Sequence, residues 1–93
     1  MVQKTIKEWV QDGAMIVDVR TPSEFSEGSI ENAVNIPLNE IENRISEFDN
    51  KPAVIVFCRS GSRSAMARTI LAKYQIPNLY NGINEEFMRM QLL

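Results

Sequence analysis

One stretch of the sequence, residues 53–75, restricts the possible folds more than any other. It opens with five consecutive apolar residues at 53–57, most of them β-branched. A run of this composition predicts a strand that is buried on both faces, as in a parallel sheet. A short polar loop with one glycine follows, and apolar residues then return at helical spacing between Ala65 and Leu71. The stretch therefore predicts a strand, a tight loop and a helix in immediate succession.

The only cysteine of the chain, Cys58, lies where this strand ends. Ligands of open parallel sheets bind beyond the carboxyl ends of the strands, where the N–H groups and the dipole of the next helix favour an anion. Arg59 and Arg63 add positive charge, and Gly61 between them can adopt the positive φ that a tight loop needs. We therefore expect Cys58 to be a reactive thiolate with a pKa below the ordinary value of about 8.5. A buried structural thiol is the alternative, but the loop is too polar for a core.

The absence of histidine limits the chemistry that this cysteine can use. None of the 93 residues is a histidine, which excludes Cys–His and Ser–His–Asp mechanisms. A nucleophile in this chain must instead be activated by backbone dipoles and cations. One cysteine without histidine also gives no support for a zinc site, so we expect neither a metal nor a cofactor.

Length and composition indicate a single domain, residues 1–93, with one core. The net charge is −2 and there is no basic tail, so we expect neither a nucleic-acid partner nor a membrane partner. No apolar run approaches the roughly 20 residues of a transmembrane helix. The first residues lack the apolar centre of a signal peptide. We expect a cytoplasmic protein that is a monomer or a weak dimer.

Helix and strand signals alternate along the rest of the chain. Thr5 with Glu8 predicts a capping box, and Thr21 with Pro22 predicts a second helix start. Strands are predicted at 15–19, 33–36 and 79–80, with a turn at Asn81-Gly82. An amphipathic helix is predicted over 41–48, and a closing helix over 83–90. Four strands joined by helical crossovers predict a mostly parallel sheet with helices on both faces.

Three charged residues follow or end the first predicted strand: Asp18, Arg20 and Glu24. Buried charges usually persist only in pairs, so we interpret these residues as a polar network that fixes the loop, with Arg20 placed to pair with Glu24. Direct contact of Asp18 or Arg20 with substrate is the alternative.

Two segments resemble the signatures of rhodanese-type sulfurtransferases. The loop CRSGSRS at 58–64 resembles the active-site loop of that family, and residues 16–37 resemble its other signature. The resemblance implies a three-layer α/β/α fold with four to five mostly parallel strands, and a cysteine that carries a sulfane sulfur as a persulfide. It also implies that Asp18, Arg20 and Glu24 shape the site. Ser29 stands where the family commonly has histidine, and Asn81-Gly82 and Phe87 replace a double glycine and a tryptophan.

On this basis we expect a sulfurtransferase in which the Cys58 thiolate attacks thiosulfate or a related persulfide donor. The Cys58 persulfide would then pass its sulfur to an external acceptor, such as cyanide, a thiol or a protein. The arginines are expected to attract the anionic donor, the loop N–H groups to hold the negative sulfur, and the serines to donate hydrogen bonds or cap the helix. The expected substrate-binding residues are Arg59, Ser60, Gly61, Ser62, Arg63 and Ser64.

Two other classes of protein also use a cysteine in a loop of this kind. A sulfur carrier or redox sensor would use the same thiolate without efficient turnover. A cysteine phosphatase or arsenate reductase needs five residues between its cysteine and arginine, whereas four lie between Cys58 and Arg63.

Overall fold

The structure is a computed structural model that describes residues 3–93. Within this part of the chain, four strands form one sheet in the order β2-β1-β3-β4. Every neighbouring pair is parallel. The strands are β1 (Met15–Asp18), β2 (Val34–Asn35), β3 (Val54–Phe57) and β4 (Leu79–Ile83). The predicted parallel sheet is confirmed, and its first three strands lie within two residues of the predicted bounds.

Helices cover both faces of this sheet. The α-helices are α1 (Ile6–Gln11), α2 (Pro22–Ser26), α3 (Ser62–Lys73) and α4 (Glu85–Gln91). Val17, Val56 and Leu71 belong to a core between the sheet and α3, whereas Ile55 and Met88 belong to a second core beneath α1 and α4. All four residues of β3 are buried, as its uninterrupted apolar sequence predicts. The three-layer α/β/α architecture is thereby confirmed. None of the helices described is both long and apolar enough to cross a membrane.

The first two helices begin at the predicted residues because of their capping side chains. The Thr5 hydroxyl accepts from the Glu8 N–H, and the Glu8 carboxylate accepts from the Thr5 N–H. Thr21 and Glu24 form a second capping box, with Pro22 as the first helical residue. The sequence predicted Thr21 as the cap but not the part that Glu24 plays in it.

The predicted amphipathic helix over 41–48 is wrong. Two 3₁₀ segments, Leu38–Glu40 and Glu42–Phe48, take its place, and Arg44 interrupts the second with non-helical angles of φ −128° and ψ 28°. Several apolar residues here are three positions apart, a spacing that lines up on a 3₁₀ helix. Ile41 and Phe48 are nevertheless buried in the core, so the predicted apolar face is retained.

The predicted turn at Asn81-Gly82 is also wrong, because both residues lie inside β4. The pairing shifts here: Val56 pairs with Asn81, but Phe57 pairs with Ile83. An extra residue in one strand is a β-bulge, and glycine commonly marks such positions. Gly82 is buried, and a Cβ at this position would overlap the sulfur of Met88. The closing helix consequently begins at Glu85 and not at Ile83.

Candidate active site

Cys58 directly follows β3, at the carboxyl edge of the sheet. Its side chain is buried with the core, and its N–H donates to the Ile83 carbonyl at 3.0 Å. The next helix, α3, begins four residues later at Ser62. The position predicted from the strand, loop and helix pattern is therefore the position observed.

The loop and first helical turn, residues 58–64, wrap around the cysteine sulfur, and we call them the cradle. The Gly61 N–H donates to Cys58 Sγ at 3.1 Å and the Ser64 N–H donates at 3.4 Å. The Ser64 hydroxyl oxygen lies 3.4 Å from the same sulfur. Gly61 has a φ of 96°, a left-handed conformation that lets the loop turn back onto the sulfur. The cradle thus directs several donors at one atom.

The cradle changes the acidity of Cys58. Burial raises the pKa of the Cys58 thiol, because it disfavours the charged form. Hydrogen bonds from the Ser64 hydroxyl and from the N–H groups of Ser64, Gly61 and Ser60 act in the opposite direction. Their combined effect brings the pKa of Cys58 below its ordinary value. The expected thiolate activation therefore has a physical basis in this geometry.

We expect alkylation of Cys58 by iodoacetamide to show this shift. The rate should rise with pH as the thiol becomes a thiolate, with a midpoint below the ordinary value of about 8.5. The same protein in guanidinium chloride is the control, because its cysteine has no cradle and should have the ordinary midpoint. Equal midpoints for folded and unfolded protein would contradict thiolate stabilisation.

The capping alternative for Ser62 and Ser64 is wrong. The residue before α3 is Gly61, and no side chain caps this helix. Ser62 Oγ lies 3.1 Å from Ser60 Oγ on the exposed side of the loop. Ser64 is completely buried, and its hydroxyl lies between the cysteine and Asn81. Of the three loop serines, Ser64 is the one whose hydroxyl reaches the sulfur.

Glu24 holds the two loop arginines. Arg63 forms a two-point ion pair with it, at 2.8 Å and 3.1 Å, and Arg59 Nε lies 3.4 Å from the same carboxylate. The predicted pair of Arg20 with Glu24 is wrong, because Arg63 occupies this carboxylate. The Arg63 hydrogen bond, helped by the Thr21 N–H, holds the pKa of Glu24 well below its usual range. Glu24 is therefore negatively charged whenever Cys58 is a thiolate.

Asp18 and Arg20 form a buried ion pair beside the cradle. They are 0% and 5% exposed, and Arg20 binds the Asp18 carboxylate through Nε and through Nη2 at 2.7 Å. Ser29 donates to Asp18 at 2.8 Å, so the serine at the family's usual histidine position joins this network. Arg20 Nη1 also lies 3.1 Å from Glu85, which the sequence did not single out. The structure places Asp18 and Arg20 together, and Glu24 in a separate cluster with the loop arginines.

A cleft of about 340 Å³ opens beside Cys58. Its charges are mixed: Arg20 and Arg59 face Glu85 and Glu86 at the start of α4. Neither glutamate was predicted, because α4 is far from the cysteine in the sequence and carries no recognisable motif. A larger cleft of about 420 Å³, lined by residues such as Val10 and Leu92, includes none of the predicted site residues. The cleft beside Cys58 is therefore the candidate entry for a substrate.

Fold and site together define a class of protein: an α/β/α domain that holds a cysteine in a loop between a central strand and a helix, with hydrogen-bond donors directed at its sulfur. The rhodanese-like domain profile matches residues 2–85. The chain belongs to the rhodanese-like domain family, as its two sequence signatures indicated.

Several relatives of this chain have assigned names. A sulfurtransferase of Allochromatium vinosum is 36% identical over 75 residues, which cover 77% of this chain and 70% of the relative. The thiosulfate sulfurtransferase PspE of Escherichia coli is 33% identical over 68 residues, which cover 71% of this chain and 65% of PspE. A solved structure of a rhodanese with anions from E. coli matches with a TM-score of 0.73 and 28% identity. The match covers 80% of this chain and 89% of that one. This chain covers little more than half the length of two other curated relatives, 56% of one and 54% of the other.

Proposed function

We propose that this protein is a sulfurtransferase that carries a sulfane sulfur on Cys58. The observation that carries the proposal is the cradle, which directs the N–H groups of Gly61 and Ser64 and the Ser64 hydroxyl at the cysteine sulfur. Donors arranged in this way stabilise a negatively charged sulfur without a histidine or a metal. Relatives that are named sulfurtransferases support the same reaction class.

The reaction has two steps in this proposal. The Cys58 thiolate attacks the outer sulfur of thiosulfate, and the sulfur–sulfur bond of the donor breaks with its electron pair leaving on sulfite. A thiophilic acceptor then attacks the terminal sulfur of the Cys58 persulfide and releases the thiolate. Cyanide as the acceptor gives thiocyanate. Because the chain has one cysteine, no second thiol of the same chain can accept the sulfur, and the acceptor is external.

The residues of the loop have separate tasks in this mechanism. Gly61 and Ser64 hold the thiolate and then the persulfide charge, whereas Arg59 faces the cleft and attracts the donor. Arg63, which Glu24 holds, adds positive charge that attracts the donor, and Ser60 and Ser62 lie on the exposed side of the loop. Asp18 and Arg20 support the wall of the cleft. No cofactor takes part in either step. The cytoplasmic location and the monomeric or weakly dimeric state remain predictions.

Intact-mass measurement tests this proposal. Reduced protein incubated with thiosulfate should gain one sulfur, about 32 Da, and should lose it again on addition of cyanide. No adduct with thiosulfate, but an adduct with a small persulfide donor, would overturn the donor assignment. No adduct with either donor would overturn the sulfurtransferase function. An adduct that forms while thiocyanate production stays negligible would favour the sulfur carrier over the enzyme.

Glu24→Gln should improve the use of thiosulfate. The substitution removes the negative charge that neutralises Arg63 and Arg59, while glutamine can retain the capping box with Thr21. Removal of one nearby charge at a protein surface is worth about 1 kcal/mol, so we expect KM for thiosulfate to fall roughly fivefold at low ionic strength. The gain should shrink as salt is added, because salt screens exposed charges.

Glu27→Gln is the matched control for this variant. Glu27 is exposed at the end of the same helix, and its replacement changes the net charge by the same amount. An equal fall in KM for both variants, or an unchanged KM for Glu24→Gln, would contradict a specific effect of Glu24 on the loop arginines.

A further inference from the structure

Asn81 in β4 contacts three groups around the cradle. Its Nδ2 donates to the Gly61 carbonyl at 3.1 Å, and its Oδ1 accepts from the Ser64 hydroxyl at 2.7 Å. The same Oδ1 accepts from the Ile83 N–H at 2.9 Å. The side chain thus joins the sheet edge to Gly61 and Ser64, two of the residues whose N–H groups bind the cysteine sulfur. The sequence predicted a turn for this residue, in place of the family's double glycine, and no role at the site.

One of these contacts supports a strained residue. Ile83 has a φ of 64°, in the left-handed region that a β-branched side chain rarely adopts. Its carbonyl accepts from the Cys58 N–H at 3.0 Å, and its side chain lies against Gly61. Strain of this kind persists only where the surrounding contacts impose it. Asn81 supplies one such contact, because it binds the Ile83 N–H directly.

The Ser64 hydroxyl has one proton and two neighbours. It lies 2.7 Å from Asn81 Oδ1 and 3.4 Å from Cys58 Sγ. While Cys58 is a thiol, the hydroxyl can donate to Asn81 and accept from the S–H group. When Cys58 is a thiolate, the proton can turn toward the sulfur, and Asn81 keeps the Ile83 N–H as its partner. While Cys58 is a thiol, Asn81 therefore holds the hydroxyl within reach of the sulfur, and in both states it holds the Gly61 carbonyl.

Without Asn81 the Ser64 hydroxyl has another partner available. Serine side chains in helices readily turn to bond a carbonyl three or four residues earlier, and the carbonyl three residues before Ser64 is that of Gly61, at the start of the helix. Such a rotation would take the hydroxyl away from Cys58. Loss of the Asn81 amide would also leave the Gly61 carbonyl without this donor, next to the N–H that binds the sulfur.

We propose that Asn81 is a positioning residue for Cys58, which acts by holding the Ser64 hydroxyl and the Gly61 peptide in place around the cysteine sulfur. This inference rests on the proposed role of Cys58 as the nucleophile. Asn81 itself does not contact the sulfur. Part of its effect on Cys58 passes through Ser64, so the two residues are coupled.

The test is the pH midpoint of Cys58 alkylation in a double-mutant cycle. Asn81→Ala should raise the midpoint by about one pH unit, a tenfold smaller thiolate fraction below the midpoint, because a hydrogen bond to the charged sulfur is lost. Ser64→Ala should raise it by a similar amount. The double variant should lie above Ser64→Ala by less than the effect of Asn81→Ala alone, because Asn81 then has no hydroxyl to hold and acts only through the Gly61 carbonyl. Asn81→Gly carries the same expectation should the alanine variant fail to fold.

Asn78→Ala is the matched control. Asn78 also donates from its side chain to a backbone carbonyl, that of Pro52. It directly precedes β4, however, and therefore lies at the opposite end of the strands from Cys58. Its replacement should leave the midpoint unchanged. The charged groups that face Cys58 are the same in every variant, namely Arg20, Arg59, Arg63, Glu85 and Glu86.

An unchanged midpoint in Asn81→Ala or Asn81→Gly would overturn the inference. Full additivity of the Asn81 and Ser64 effects would overturn the route through Ser64. Alkylation needs neither a sulfur donor nor an acceptor, so this result is separate from the outcome of the sulfur-transfer experiment. A protein that forms no persulfide can still show the coupling, and a protein that forms one can lack it.

Discussion

Replacement of Cys58 by serine should abolish sulfur transfer from thiosulfate to cyanide, with a loss of at least about a thousandfold in kcat/KM. The serine hydroxyl is a far weaker acid than the cysteine thiol, and its oxygen has little tendency to attack sulfur. The donors of Gly61 and Ser64 would remain, but they would have no thiolate to stabilise. Thiocyanate formation under steady-state conditions measures the loss.

The folding of this variant must be checked with the activity. A serine oxygen can accept hydrogen bonds from the same N–H groups, so we expect a cooperative unfolding transition close to that of the unmodified protein. The variant should also gain no mass from thiosulfate. Measurable turnover in folded Cys58→Ser protein would mean that another residue carries the sulfur.

Replacement of Asp18 by asparagine should destabilise the fold strongly. Asp18 is completely buried, and its partner Arg20 is 5% exposed, so the variant leaves a buried guanidinium without its main counter-charge. Breaking a buried pair in this way costs about 3–5 kcal/mol. That is a large share of the 5–15 kcal/mol that is typical for a whole domain. We expect Tm to fall by more than about 10 °C in thermal unfolding.

Two further variants test whether the unpaired buried charge causes this loss of stability. Asp12→Asn removes a carboxylate whose ion pair with Lys4 is about half exposed, and it should change Tm little. The double variant Asp18→Asn/Arg20→Met removes both buried charges and should be more stable than Asp18→Asn alone. If Asp18→Asn unfolds at the temperature of the unmodified protein, or if the double variant is the less stable of the two, the buried charge is not the source of the effect.

The position of Cys58 in a loop between a buried strand and a helix could be predicted from local sequence alone. A buried strand, a glycine loop and a helix follow one another within residues 53–75, and Cys58 lies at their junction. Local order of this kind fixes local geometry, because the carboxyl end of a strand and the start of the next helix must meet. The capping residues Thr5 and Thr21 were predictable for the same reason.

The contacts that complete the site could not be predicted from local sequence. Asn81, Glu85 and Glu86 reach the cleft or the cradle only after the sheet forms, and nothing near them in the sequence marks them for this role. Asn81-Gly82 is a strong turn signal on its own. In the folded protein, pairing with β3 and the contact of Gly82 with Met88 outweigh that tendency.

The ion-pair partner of Glu24 could not be predicted from local sequence either. Glu24 lies four residues from Arg20 in the sequence but 39 residues from Arg63, with which it forms its ion pair. Arg20 turns inward to Asp18, which leaves Glu24 to the loop arginines. Such choices depend on which side chains the tertiary fold buries, and the sequence alone does not state this.

The all-parallel sheet also has a consequence for how the nucleophile comes into being during folding. Parallel neighbours cannot be joined by a hairpin, and the central pair of β1 with β3 joins positions about 40 residues apart, such as Met15 and Val54. Closing such long loops early is entropically costly, so folding is slower than that of a helical protein of equal length. Asn81 and Ile83, which contact the cradle, reach it only when β4 has docked beside β3. A partly folded chain therefore lacks the contacts that hold the cradle around the sulfur, and we expect Cys58 to reach its full acidity only with the finished sheet.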